Sequence, residues 1–221
     1  MTSSPDTAQL IETMRVETGH RTPLRQLHLA RLKRSCEALD FRFPKDLEKA
    51  LDQRIARLDR HHLHRLRILV DRDGGHTLET GVLPPSPAAF SLLLQHAPRE
   101  ADQAWVRHKS TYRPWYAQAA QWLANNPDVF DVVYCDANDM VCEGSRTNIY
   151  IKDAAGRWLT PPVEAGILPG VQRQELLEQG LAHEAPVTRR ELLQAREIRL
   201  SNALRGWHPA HLVRDHTNIG A

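Results

Sequence analysis

Residues 141–173 read VCEGSRTNIYIKDAAGRWLTPPVEAGILPGVQR. A short apolar run places a carboxylate, Glu143, just before three small or polar residues. An apolar alternation then resumes at Asn148. The pattern predicts strands over about 139–143, 147–152 and 157–160, with Pro161-Pro162 closing the run. ILPGVQRQELLEQG reads as a turn followed by a helix over about 170–179, ended by Gly180. A carboxylate delivered by a strand into a tight, small-residue turn calls for a chemical explanation as well as a structural one.

Strand and helix signals continue on both sides. LIETMRVET (10–18) alternates and is β-prone. Thr22-Pro23 starts a helix over about 24–40, with Leu24, Leu27, Ala30, Leu32, Ala38 and Leu39 as its apolar face. A second helix follows Pro44, over about 45–59. HLHRLRILVDRDG reads as a strand entering a hairpin at Asp73-Gly74-Gly75, and further strands are expected over 76–82 and 88–96. The polar stretch APREADQA (97–104) is taken as the linker, which gives a small N-terminal α/β domain over 1–98 and a C-terminal cofactor-binding domain over 99–221. Beyond it come a helix over 114–124, with Pro114 suited to a first turn, and a strand over 129–135. Thr188 with Glu191 forms a capping box for a short helix over 188–194, and REIRLSNA reads as a last internal strand. The fold class is α+β in two lobes, the larger holding a mainly antiparallel sheet or barrel with helices.

Composition narrows the function classes. The 221 residues allow one or two domains with a sizeable core, and a net charge of +2 leaves no nucleic-acid or membrane footprint. Cys36, Cys135 and Cys142 have neither disulfide-framework nor zinc spacing, so they are expected to be reduced in a cytoplasmic protein without a metal. The basic run RIARLDRHHLHRLR (54–67) is interrupted by Asp59 and lacks interleaved aromatics, and is read as a solvated helix end and turn. The N-terminus lacks the pattern of a secretory signal.

Four stretches carry chemical potential. Lys109 lies in RHKSTYRPWY among Arg107, His108, Ser110, Thr111, Tyr112 and Arg113. A lysine after a strand end is ordinarily a solvated charge, but in a polar cleft its amine can form a Schiff base with an aldehyde cofactor. Glu143 is either an edge-strand carboxylate facing water or the partner of a protonated heteroaromatic nitrogen, because an opposite charge favours the charged form of the ring. Pro169-Gly170 opens a helix whose first N–H groups lack internal partners and suit a phosphate. In SNALRGW (201–207), small polar residues can contribute to the same phosphate, and the planar fork of Arg205 suits a substrate carboxylate. In HLARL (28–32), helical spacing puts His28 and Arg31 on one face.

In this order the segments HLARL, HKSTYR, EGSRTNIYI, TPPVEAGILPGVQR and SNALRG resemble the class-IV aminotransferase family, the fold-type-IV pyridoxal phosphate enzymes, over nearly the whole chain. Within it the sequence is most similar to 4-amino-4-deoxychorismate lyases. LIETMRVETG, HKSTYR, FDVVY and NALRGW liken it especially to the lyase-like domain fused to aminobenzoate synthase component I, which also begins abruptly at such a stretch. The resemblance implies a two-lobed enzyme that binds pyridoxal 5'-phosphate. It makes Lys109 the Schiff-base lysine and proton shuttle, and Glu143 the pyridine-nitrogen partner. Arg31, Gly170, Val171, Gln172, Asn202 and Ala203 become phosphate ligands, and Tyr116 a partner of the cofactor's phenolic oxygen. Gln172 and Ala203 stand where the family commonly has Thr and Ser or Thr. The implied activity is conversion of aminodeoxychorismate to 4-aminobenzoate and pyruvate, with a class-IV aminotransferase as the alternative. A homodimer, and aminodeoxychorismate synthase as a further partner, are also implied.

Overall fold

The computed structural model describes residues 4–213. They fall into two compact units, one running up to Pro85 and including His108–Tyr112, the other comprising Ser86–Arg107 and the chain from Arg113 onward.

The first unit contains β1 (Leu10–Val16), α1 (Arg25–Leu39), α2 (Leu47–Ile55), β2 (His64–Val70) and β3 (His76–Val82), with the strands forming one antiparallel sheet in that order. Alternation is strict on β2, where His64, Leu66, Ile68 and Val70 are buried. Leu10, Met14 and Val16 of β1 are buried on the matching face, and Leu32, Cys36, Leu47 and Leu51 from the helices are buried as well. The hairpin forms where Asp-Gly-Gly predicts it, with Gly74 at φ +92°. The buried face of α1 differs from the expected one. It consists of His28, Leu29, Arg31, Leu32, Ser35 and Cys36, while Ala30 and Ala38 are exposed. The helix turns its His and Arg inward because a buried carboxylate on β1 receives them.

Residues 108–112 run alongside β1. Ile11 N–H donates to the Lys109 carbonyl (2.8 Å) and Thr111 N–H to the Gln9 carbonyl (2.9 Å). This pairing explains why the segment clusters with the first unit.

The second unit contains β4 (Phe90–Leu94), α3 (Ala117–Asn125), β5 (Asp131–Cys135), β6 (Val141–Gly144), β7 (Asn148–Lys152), β8 (Trp158–Thr160), α4 (Val171–Glu178), β9 (His183–Glu184), α5 (Arg189–Gln194), β10 (Ile198–Asn202) and β11 (Gly206–Leu212). Its eight strands form a mixed sheet in the order β6-β5-β4-β11-β10-β7-β8-β9. The sheet curls, since Gly144 N–H of β6 donates to the Thr147 carbonyl beside β7 (2.8 Å). Phe90, Leu92, Val133, Ile149, Ile151, Leu192 and Leu200 form its main core.

Three differences from the sequence reading concern this unit. Strand β4, assigned to the N-terminal domain, pairs with β5 and β11 here. The presumed linker 97–104 belongs to this unit and carries a buried arginine, Arg99, whose side chain is 3% exposed. Strand β11 lies beyond REIRLSNA, the last internal strand expected, and contains Pro209. The proline lies just before the ladder with β4, which begins at Ala210↔Phe90, so that ladder does not need its missing N–H. The Thr188–Glu191 capping box forms as expected, with Thr188 N–H donating to Glu191 Oε2 at 2.8 Å.

Candidate active site

Glu143 is the penultimate residue of β6 and is 4% exposed. Its Oε1 accepts from the Tyr116 hydroxyl (2.8 Å), Leu168 N–H (3.1 Å) and Arg99 Nη1 (3.4 Å), and its Oε2 accepts from Asn148 Nδ2 (3.3 Å). Burial pushes the carboxyl above the usual range, and Arg99, Tyr116, Arg113 and Leu168 offset part of that. Arg99 also donates to the Tyr116 hydroxyl (2.7 Å) and to the Gly166 carbonyl (2.5 Å). Tyr116 is thus held protonated as a donor to Glu143, burial and the carboxylate both raising its pKa. The structure therefore gives the Tyr116 hydroxyl the carboxylate as its partner.

The turn after Glu143 rests on a second buried acid. Asp131 accepts from Ser145 Oγ (2.6 Å), Thr147 Oγ1 (2.6 Å) and Arg146 N–H (3.2 Å). Gly144 does not lie at positive φ. Space is what requires glycine, because a Cβ there would lie 2.2 Å from Asp131 Oδ2. Gly144→Ala is accordingly expected to destabilise the protein by about 2 kcal/mol or more, measured by urea denaturation.

Asn148 links this carboxylate to α4. Its Nδ2 donates to the Leu168 carbonyl (3.0 Å) as well as to Glu143. A Cβ on Gly170 would lie 2.1 Å from its Oδ1. Gly170 is the N-cap of α4 and provides no side-chain cap, so the first amides, those of Val171 and Gln172, have no intrahelical acceptor. Arg173, buried, donates to the Pro161 carbonyl (2.8 Å) and pairs with Glu184, which anchors the helix start. Asn202 ends β10, and its Oδ1 accepts from Leu204 N–H (3.1 Å) and Arg205 N–H (2.9 Å), shaping the turn that carries Ala203 and Arg205.

In the first unit, Arg31 and His28 converge on Glu12, which is 1% exposed. Arg31 Nε donates to Glu12 Oε1 (2.8 Å) and Nη2 to Oε2 (2.7 Å), a bidentate pair. His28 Nδ1 lies 2.6 Å from Oε2. Burial alone would raise the Glu12 carboxyl, but Arg31 and His28 outweigh it and hold it at about 2. Burial pushes His28 down, the charges of Arg31 and Lys109 add to this, and Glu12 offsets part of it. The chain has five lysines. Lys33, Lys45 and Lys49 are exposed, Lys152 pairs with Glu197 (2.8 Å), and half-buried Lys109 lies on the segment that flanks β1.

Glu12 has a folded-state pKa below its ordinary value, so its stabilisation is complete above about pH 4.5 and is lost as pH falls towards 2. Glu12→Gln leaves Arg31 buried without its carboxylate and is expected to cost about 3 kcal/mol or more. Urea unfolding between pH 2 and 7 checks both points, with the variant expected to show a flatter acid limb.

A family model, Amino-transferase class IV, matches residues 9–213. The chain belongs to the aminotransferase class IV family. An assigned amino-acid aminotransferase of Mesorhizobium loti is 32% identical with a TM-score of 0.79, covering 93% of this chain and 100% of that one. A hypothetical aminotransferase of Mycobacterium tuberculosis in PLP-bound form shares the fold at 22% identity, with a TM-score of 0.73, covering 97% of this chain and 86% of that one. The aminodeoxychorismate lyase of Saccharomyces cerevisiae is 27% identical over 146 residues, 59% of this chain and 39% of its own length. An assigned branched-chain-amino-acid aminotransferase of Thermotoga maritima is 32% identical over 95 residues, 41% of this chain. The chain thus spans 34% of the length of the Thermotoga relative and 39% of the yeast one.

Class IV aminotransferase family enzymes depend on pyridoxal 5'-phosphate, and the residues present fit it. The start of α4 offers uncapped amides beside a glycine that no other residue can replace without a clash. Glu143 is a buried carboxylate suited to a cationic nitrogen. The structure brings Tyr116, Glu143 and Asn148 together with Gly170 in the second unit, and Arg31 with Glu12 and His28 in the first, the unit that also holds Lys109. Sequence reasoning missed Glu12, Arg99, Asp131 and Asn148. Glu12 was discoverable, since the alternation of β1 puts it on the same face as Leu10, Met14 and Val16. Arg99 gave no local signal. Among the described residues no helix is long and apolar enough to cross a membrane.

Proposed function

We propose that this chain is a pyridoxal-phosphate-dependent lyase converting 4-amino-4-deoxychorismate to 4-aminobenzoate and pyruvate. The observation that carries the lyase reading is that, among these three sequence relatives, the two named as lyases match the larger shares of the chain. Relatives named as aminodeoxychorismate lyases, from Schizosaccharomyces pombe (an assigned one) and Saccharomyces cerevisiae, match 71% and 59% of the chain. The Thermotoga maritima relative matches 41%. That relative and the Mesorhizobium loti structure, each at 32% identity, favour the second reading. It is an aminotransferase acting on a D-amino acid, a branched-chain amino acid or another small amine.

Pyridoxal phosphate, when bound, supplies the electron sink. Lys109 would hold its aldehyde, and the Lys109 amine would serve as the base for the proton on the carbon bearing nitrogen. Glu143 would keep the ring nitrogen protonated, and Arg99, Tyr116 and Asn148 hold Glu143 in place. Arg31, fixed by Glu12, and the amides of Gly170, Val171 and Gln172 would be the phosphate's ligands, with Asn202 and Ala203 as further ones. Arg205 faces a substrate carboxylate. Departure of pyruvate makes the substrate ring aromatic, which drives the reaction without a second substrate. The protein is read as a homodimer whose substrate comes from aminodeoxychorismate synthase.

The test is to supply aminodeoxychorismate, generated in situ by a synthase, and to follow 4-aminobenzoate fluorescence with pyruvate. The lyase reading expects the two products in equal amounts with no keto-acid requirement. Turnover only when an amino acid and a keto acid are paired would replace it with the aminotransferase reading.

A further inference from the structure

The second unit holds a cavity of 660 Å³, and none of the described residues lining it belongs to the candidate active site. Helix α5 forms one wall, and β4, β10 and β11 supply the floor. That floor continues the main core. Leu192 and Ile198 belong to the core, while Leu94, Ala210 and Leu212 pack against it and stay half-buried. Leu193, next to buried Leu192, also lines the cavity and is 60% exposed. The volume and the apolar lining are those of a small-molecule pocket. Apolar side chains left in water around a concavity favour an apolar group that covers them.

The charges around the cavity indicate what else that group carries. Arg189 and Arg196 line it, and Asp139 is the one acid among the described lining residues. Arg189 is engaged. Its Nε pairs with Asp139 (2.6 Å), and its Nη1 and Nη2 donate to the carbonyls of Gln95 (3.0 Å) and His96 (3.2 Å). The Asp139 side chain is 70% exposed, so this partner is readily displaced. Arg196 is exposed and, among the described residues, has no ion pair or side-chain hydrogen bond. Two guanidinium groups against one acid favour an anion, and their planar forks suit a carboxylate.

We propose that this cavity is a second ligand site, and that it binds a small carboxylate with an apolar body. The body lies against Leu94, Ile198 and Leu212. The carboxylate meets Arg196 and competes with Asp139 for Arg189. The site stands whether or not Lys109 carries the cofactor, because it shares no residue with that chemistry.

The test is calorimetric titration of the full chain, loaded with pyridoxal phosphate, with 2-naphthoate as the probe and 2-naphthylmethanol as its uncharged analogue. Naphthoate is expected to bind, and Arg196→Gln to weaken it by about threefold or more, the weight of an exposed ion pair. Leu193→Glu, which puts a negative charge beside the apolar floor, should weaken it by about tenfold. Asp139→Asn removes the competing anion and should tighten it by about threefold. Asp139 lies at φ +58°, a conformation asparagine also tolerates, so this variant keeps its backbone. The alcohol should bind more weakly and respond to neither Arg196→Gln nor Asp139→Asn. Arg196→Gln and Leu193→Glu change exposed side chains and should melt close to the wild-type Tm. No naphthoate binding at millimolar concentration would overturn the proposal. Binding that none of the three variants alters would also overturn it, since the probe would then sit elsewhere. So would a smaller species for Leu193→Glu in sedimentation velocity with no naphthoate binding to the wild type, which would give the cavity to a second copy of the chain.

Discussion

Lys109→Ala is expected to lower kcat by about 10⁴-fold or more, because on the proposed reading it removes both the anchor for the cofactor aldehyde and the base that moves the proton. The segment 108–112 is held to β1 by main-chain bonds from Ile11 and Thr111, and neither requires the lysine side chain. The variant should therefore fold with a Tm close to wild type. Steady-state turnover and thermal melts of the same preparation check the pair of expectations. Turnover within tenfold of wild type would remove Lys109 from the chemistry.

Glu143→Gln is expected to lower kcat by about 10²–10³-fold, the usual weight of a preorganised charge facing a reacting group. Glutamine keeps the shape and can still accept from Tyr116 and Leu168, but it carries no charge to hold a ring nitrogen protonated. Arg99 is then buried beside a neutral group, so stability should fall as well, by about 1–3 kcal/mol. The two effects can be separated. Arg99→Gln should lower stability by a similar amount while costing less kcat, since it leaves the carboxylate in place. The measurement is kcat against urea midpoint for the two variants. A Glu143→Gln enzyme with full kcat would make Glu143 a structural carboxylate.

Much of the architecture was legible because period and punctuation agreed locally. The hairpin at Asp73-Gly74-Gly75, the capping box at Thr188 and Glu191, and the helix opened by Pro169-Gly170 each carry their cause within a few residues. What failed depends on contacts distant in sequence. The polarity of APREADQA suggests a linker, yet Arg99 is buried because Tyr116, Glu143 and Gly166 receive it. The inward face of α1 looked apolar at Ala30 and Ala38, but Glu12 draws His28 and Arg31 inward instead. Strand β11 was hidden by Pro209, which no local rule admits to an interior strand. The residues singled out around the site were visible as motifs. The residues that hold them (Glu12, Arg99, Asp131 and Asn148) were visible only once the chain was folded.

The most direct measurement is to reduce the pyridoxal-phosphate-loaded protein with borohydride and map the modified peptide by mass spectrometry. Lys109, within HKSTYR, is predicted to carry the phosphopyridoxyl group in near-stoichiometric yield, with Lys33, Lys45, Lys49 and Lys152 unmodified. Label on any of those four lysines, or no label on a protein that stays colourless with the cofactor, would contradict the account.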